Sequence, residues 1–131
     1  MAITVKTSLV VQDGKEILID SMANNTLPNL LKFRVGNLAT RDALETDTDL
    51  QAGAGYLVEK DITDKTKLAY NQLRFRCILD PADGNLTNLN ELGIFYYDST
   101  TTTYKLFIYC TFPEVDKNDT VGLEFNIDLM I

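Results

Sequence analysis

Residues 121–130 read Val-Gly-Leu-Glu-Phe-Asn-Ile-Asp-Leu-Met, and this stretch decides the fold class. Apolar side chains occupy every second position from Val121 to Leu129. Because successive side chains of a strand point to opposite faces, this alternation predicts a β-strand with one buried face. We expect this last strand to be well buried and its truncation to unfold the domain.

Most of the remaining chain also has the pattern of strands. Residues 92–97 and 104–112 flank a Thr-rich loop as a hairpin, and Asp80-Pro81-Ala82-Asp83-Gly84 is a strong turn signal. The predicted strands before the last one are a lead-in at 3–11 and segments at 31–36, 56–62, 73–79, 92–97 and 104–112. A long surface loop is predicted at 37–55, with a possible helical turn at 41–44.

One helix is predicted near the N-terminus. Asp13 has the character of an N-cap because Glu16 follows three residues later and can complete a capping box. The helix is expected over 14–23, ending at Asn24 and Asn25 because Asn tolerates the left-handed conformation. Its predicted buried face consists of Ile17, Leu18 and Met22. The fold class is therefore α+β: a mostly antiparallel sheet or sandwich with one short N-terminal helix, in a single domain of residues 1–131.

Composition excludes several classes of partner. The chain has 131 residues, 45% of them hydrophobic and 24% charged, as expected for one ordinary domain. Its net charge of −7 repels nucleic acid and anionic membranes, and no basic patch offsets it. Residues 1–6 do not have the pattern of a signal peptide, and no apolar run reaches the ~20 residues of a membrane helix. We expect no nucleic acid, no membrane insertion and assembly in a reducing cytoplasm.

A search for catalytic chemistry finds little. The chain has no histidine, which excludes His-dependent triads and zinc sites. Cys77 and Cys110 are in phase with apolar strand faces and are predicted to be buried thiols, with a later disulfide as the alternative. Carboxylates that could act in a glycosidase or bind calcium lie in polar, solvated segments without an EF-hand pattern: Asp47, Asp49, Asp61 and Asp64. We predict no enzymatic activity, no metal and no cofactor.

Aromatic side chains suggest a possible interface. Apolar side chains occupy both faces of residues 94–97 and 104–112. One face must be core, and the other is predicted to carry Phe95, Tyr97, Phe107 and Tyr109. If this face is exposed, it is large enough to require a partner and is a candidate subunit interface. The alternative is that the N-terminal helix covers it.

Residues 89–98, Leu-Asn-Glu-Leu-Gly-Ile-Phe-Tyr-Tyr-Asp, contain a candidate structural motif. Gly93 within a strand indicates a bulge or a close backbone approach. Asn90 and Glu91 can bond backbone groups left open there, and Gly36 ends the earlier strand. We predict a structural role for all four residues.

The order of the motifs resembles that of phage tail-collar fibre proteins. The similar segments are 12–22, 33–37, 89–98, 106–113 and 121–129, and 89–98 is the most distinctive. The sequence departs from that family in having no tryptophan before Asn90. We expect it to correspond to the attachment-type part of such proteins and not to the shaft or receptor-binding tip of long fibres.

The resemblance implies an attachment-type domain in the virion. Such a domain docks an appendage onto the tail, collar or baseplate, with other tail proteins and further copies of itself, as a trimer or symmetric ring, as partners. The alternative function is a host-surface, glycan-binding module that uses the 37–55 loop.

Overall fold

The computed structural model describes residues 2–5, 9–26 and 30–130, which form two face-to-face β-sheets and one helix. The elements are β1 (Ala2–Val5), β2 (Leu9–Val10), α1 (Gln12–Asn24), β3 (Leu30–Gly36), β4 (Val58–Asp61), β5 (Asp64–Ala69), β6 (Gln72–Leu79), β7 (Leu86–Asp98), β8 (Thr103–Lys117) and β9 (Leu123–Met130). The predicted fold class, mostly antiparallel sheet with one short helix, is confirmed.

The strands divide into two sheets. Sheet A has the order β1-β9-β6-β5, and sheet B has the order β2-β8-β7-β3-β4. β9, the predicted buried strand, lies between β1 and β6, so neighbours cover both of its edges. β1 runs parallel to β9, and the other described pairings are antiparallel. The predicted lead-in strand is thus two strands, one in each sheet.

The core lies between the two sheets. Its sheet A members alternate along β6 and β9, as the period of two requires. Its fully or nearly buried members include Phe75, Cys77, Leu79, Leu123, Phe125, Ile127 and Leu129 from sheet A, and Phe33, Val35, Leu92, Ile94, Ile108 and Cys110 from sheet B. Apolar burial of this extent is the main source of stability in a domain of this size.

The β5–β6 and β7–β8 hairpins lie at the same end of the sandwich. β6 passes to β7 through residues 80–85, and β8 passes to β9 through residues 118–122. Lys117 Nζ donates a hydrogen bond to the Gly84 carbonyl at 2.7 Å, which ties these two connections together. Because both connections are at one end, the β5–β6 and β7–β8 hairpins are at the other.

The helix begins earlier than predicted. Val11, not Asp13, is the N-cap, and no side chain caps the helix. Instead, the backbone N–H of Val11 donates to the Phe107 carbonyl at 3.1 Å and that of Gln12 donates to the Glu45 carbonyl at 2.8 Å. Tertiary contacts therefore replace the predicted capping box.

The helix packs through small residues. Gly14 and Ser21 are its buried positions, and a Cβ at Gly14 would collide with the Phe107 backbone. Ile17 and Leu18 pack against the core as predicted, but Met22 is 78% exposed. Asn25 ends the helix at φ 55°, the left-handed conformation expected of asparagine there.

One strand and one turn differ from the sequence prediction. β5 was not predicted because it is an edge strand whose residues are all exposed, so it has no buried alternating face. The residues between β3 and β4, 37–57, form a long loop. Its helical turn is a 3₁₀ turn at Gly53–Gly55 rather than at 41–44.

We expect Phe125→Ala to lower the free energy of unfolding by about 3–5 kcal/mol, because it removes a fully buried ring and leaves a cavity. The Phe125 ring lies 5.2 Å from that of Phe112 between their centroids. Urea unfolding measures the change. Val121→Ala, at a position that is 49% exposed, is the control and should change stability by less than about 0.5 kcal/mol. Equal effects of the two substitutions would contradict this description of the core.

Candidate functional site

A buried carboxylate lies on the face of sheet B that points away from the core. Glu91 pairs with Gly36 on β3 and Thr111 on β8, and its side chain is completely buried beneath the long loop. Glu91 Oε1 accepts hydrogen bonds from the Gln51 N–H at 2.8 Å and the Tyr109 hydroxyl at 2.7 Å. Four hydrogen bonds in total satisfy both oxygens, as a buried carboxylate requires.

The second oxygen of Glu91 holds the two ends of the long loop together. Glu91 Oε2 accepts hydrogen bonds from the Leu38 N–H and the Ala52 N–H, both at 3.2 Å. Asn90, the preceding residue, adds a two-way contact with Ala39. Its Oδ1 accepts from the Ala39 N–H at 3.1 Å, and its Nδ2 donates to the Ala39 carbonyl at 2.9 Å. The loop therefore leaves β3 and returns toward β4 through one set of anchors.

Two glycines make room for this arrangement. A Cβ at Gly36 would lie 2.8 Å from Glu91 Oε2, so a larger residue would displace the carboxylate. A Cβ at Gly93 would lie 2.9 Å from the Leu50 side chain and 2.8 Å from that of Leu106. Leu50, which is 3% exposed, thus occupies the space above Gly93. The predicted structural role of Asn90, Glu91, Gly93 and Gly36 agrees with these contacts, and the bonded backbone belongs to the long loop.

The aromatic face predicted as a subunit interface is mostly buried within the chain. Phe95 and Phe107 are 1% exposed and Tyr109 is fully buried, so the interface interpretation is wrong for these three residues. The long loop covers Phe95 and Tyr109 through Leu50, which belongs to the same apolar cluster. Only Tyr97, at 36% exposure, remains accessible.

A β-bulge explains why Phe107 does not share a face with Phe95. The β7–β8 register shifts between the pair Ile94–Ile108 and the pair Phe95–Leu106, which leaves Phe107 as an extra residue. Phe107 therefore packs with the core between the sheets, whereas Leu106 packs beneath the long loop. The strict period of two used in the sequence prediction fails at this residue.

A stacked arginine lies where the long loop meets β4. The Arg34 guanidinium lies 4.6 Å from the Tyr56 ring centroid and 4.4 Å from that of Phe95. Arg34 Nε also donates to Glu59 Oε2 at 2.6 Å. Cation–π contacts of this kind stabilise by about 0.5–2 kcal/mol. Tyr56, at the edge of the long loop considered for glycan binding, is thus already in contact with Arg34.

Each candidate carboxylate has a local partner. Arg41 makes a two-pronged contact with Asp47 at 2.7 and 3.0 Å, and this hydrogen bonding holds the pKa of Asp47 below its ordinary value. Asp49 accepts a hydrogen bond from the Leu50 N–H at 2.8 Å. Asp61 and Asp64 form ion pairs with Lys32 and Arg76, respectively. The structure therefore does not bring these four carboxylates together in one site.

The two cysteines are free and buried. Burial raises the pKa of the Cys77 thiol far above its ordinary value and that of Cys110 to about 12. The predicted burial is confirmed, and both side chains belong to the core between the sheets.

A groove of about 610 Å³ lies between α1 and the β7–β8 hairpin and is called here the helix–hairpin groove. Asp13, Glu16 and Asp20 line it from the helix. These three positions lie on one side of the helix because they are three and four residues apart. Asp98 and Lys105 line the opposite side and pair with each other at 3.1 Å. A smaller cleft of about 380 Å³ lies between Arg41 and Phe112.

We expect Glu91→Gln to lower the free energy of unfolding by about 2–3 kcal/mol, because an amide NH₂ would face the backbone donors of the long loop. Hydrogen exchange should accelerate first at the amides of Leu38, Gln51 and Ala52. Glu114→Gln, at an exposed position on β8, is the matched control and should change neither quantity. Unchanged exchange at those three amides would show that Glu91 does not anchor the loop.

Stability should fall in alkaline solution. The Tyr109 pKa is raised by burial and by its hydrogen bond to Glu91, as the two thiol pKa values are raised by burial. Above the ordinary pKa values of 9.0 and 10.0, the unfolded chain therefore releases protons that the folded chain keeps. Each group that is deprotonated only in the unfolded chain lowers the free energy of unfolding by about 1.4 kcal/mol for each unit that the pH rises. Urea unfolding at neutral pH and above pH 10 tests this, and equal stabilities would contradict it.

Three findings concern what is absent. The described residues contain no group of three or more cysteine or acidic side chains placed to hold a metal ion. No helix among them has the length and apolar character needed to cross a membrane. No family model, curated protein or solved structure matches this chain.

Proposed function

We propose that this protein is a non-catalytic structural component of a phage virion, located in the tail, collar or baseplate. It acts by docking or forming an appendage together with other tail proteins and further copies of itself. The proposal is supported by the structural role of residues 89–98, the stretch with the most distinctive resemblance to tail-collar fibre proteins. Asn90 and Glu91 from this stretch hydrogen-bond the long loop, and Gly93 leaves the space that Leu50 of the loop occupies.

The anchored loop suits a protein that acts through its surface. Ordering a loop of this length during binding would cost conformational entropy for each residue fixed. Here Glu91, Asn90 and Leu50 hold the loop before any partner arrives. A preordered surface can bind neighbouring subunits without that cost, and several modest contacts together give firm attachment.

The assembly surface proposed here differs from the buried aromatic face. Exposed apolar side chains occur at the end of the sandwich that carries the two hairpins. On sheet A they are Leu68, Tyr70 and Met130, and on the helix they are Ile19 and Met22. Tyr70, in the β5–β6 turn, is 92% exposed. Apolar patches of this kind on a folded protein favour contact with another protein.

Electron microscopy of particles made with and without this chain tests the proposal. We expect density to be missing from the tail, collar or baseplate of the particles that lack it, and peptides of the chain to be found in purified complete particles. Complementation with the intact chain should restore the density. Complete particles that contain no copy of the chain would refute the proposed function.

A further inference from the structure

Two lysines on the edge strand of sheet A have no partner among the described residues. Among the cationic side chains of residues 9–26 and 32–130, Lys65 and Lys67 alone make neither an ion pair nor a hydrogen bond. Both lie on β5 and are exposed. Leu68 and Tyr70 follow them in the same β5–β6 hairpin and are 46% and 92% exposed. The hairpin is thus a basic and apolar projection on an acidic protein.

The helix–hairpin groove has the complementary character. Asp13, Glu16 and Asp20 form no ion pair with any described residue, and Lys105 is already neutralised by Asp98. The groove also contains Tyr96 and Tyr97. It therefore has unpaired negative charge beside aromatic surface, where the β5–β6 hairpin has unpaired positive charge beside apolar surface.

The groove also offers a hydrogen-bonding group to a docked polypeptide. Ser21 lines it, and its hydroxyl forms no hydrogen bond with a described residue. No buried side-chain oxygen or nitrogen of the described residues lacks a partner, so this hydroxyl is open to water. A docked polypeptide can take the place of that water.

We propose that the chain self-associates, with the β5–β6 hairpin of one copy docked in the helix–hairpin groove of the next. Lys65 and Lys67 then pair with Glu16 and Asp20. The inference rests on the proposed assembly function and names a second copy of the chain as the first partner.

The spacing of the charges fits this pairing. Two residues along a strand place Lys65 and Lys67 about 6.6 Å apart. Four residues along a helix place Glu16 and Asp20 about 6 Å apart. Both carboxylates can therefore meet both ammonium groups at the same time.

The mode of contact is side-chain docking rather than addition of one strand to another. Lys65 and Lys67 pair with Phe75 and Leu73, so their side chains project on the core side of the sheet edge. Charges in that position oppose the addition of another strand.

The position of the two surfaces determines the type of assembly. The hairpin belongs to sheet A and the groove to sheet B and its helix, yet both are at the same end of the sandwich. A contact between two different surfaces is head-to-tail, and it closes into a ring or continues as a filament. Neighbouring copies would stand side by side with this end at the same level.

Sedimentation of the purified full-length chain, at low and high salt, tests the inference. The intact chain should associate at low salt and less at high salt, because exposed charges are screened. Lys65→Glu with Lys67→Glu, or Glu16→Lys with Asp20→Lys, should each weaken association by about tenfold or more. The chain carrying all four substitutions should recover it, since the charges are again complementary.

The controls separate charge pairing from folding and net charge. All four positions are exposed, so circular dichroism and urea unfolding should match those of the intact chain. Glu114→Lys with Asp119→Lys changes the net charge as much as the groove variant but should leave association intact. The inference is overturned if the intact chain stays monomeric at low salt, if neither reversal weakens association, or if the fourfold variant fails to recover it. Any of these results leaves the virion location, tested by microscopy, unaffected.

Discussion

The buried carboxylate of Glu91 is the interaction on which the outer layer of this structure depends. A carboxylate in an apolar setting needs several donors, and the backbone of a covered loop needs acceptors. Glu91 and the long loop meet both needs at once, through the N–H groups of Leu38, Gln51 and Ala52 and the hydroxyl of Tyr109. Removing either the carboxylate or its loop donors leaves buried polar groups unpaired, and the free-energy cost exceeds what the hydrogen bonds themselves contribute.

The loop held by Glu91 determines which surfaces of the protein stay exposed. With Leu50 above Gly93 and Tyr109 bonded to Glu91, the aromatic face of sheet B is an internal layer of the protein. The protein thus has two apolar layers, one between the sheets and one beneath the loop. Tyr70 and Met22, on the surface proposed for assembly, are among the exposed apolar side chains that remain.

Ion pairing differs between the inner strands of sheet A and its edge strand. The arginines of the described chain are held in ion pairs, as when Arg74 and Arg76 pair with Asp128 and Glu124 across neighbouring strands of sheet A. Cross-strand pairs of this kind help to set strand register. Lys65 and Lys67 differ because β5 is an edge strand, with a described neighbour on one side only. In a protein with a net charge of −7, these lysines form a local positively charged surface that favours contact with an acidic surface.

Sequence alone determined the features that depend on local pattern. The alternation from Leu123 to Leu129 identified a buried strand, and Asn25 marked the end of the helix. A structural role was predicted for Asn90, Glu91, Gly93 and Gly36. Each follows from a rule of side-chain period or backbone conformation that needs no knowledge of distant residues.

Tertiary structure alone decided what covers each surface. The bulge at Phe107 moved that ring into the core, and the loop residue Leu50 buried Phe95 and Tyr109. The start of the helix was set by the backbone contact of Val11 with Phe107 instead of by a local cap. The bulge depends on pairing between two neighbouring strands, and the covering by Leu50 and the contact of Val11 depend on residues more than 40 positions apart in the chain. No local period encodes them, because burial is a property of the neighbours that folding brings together.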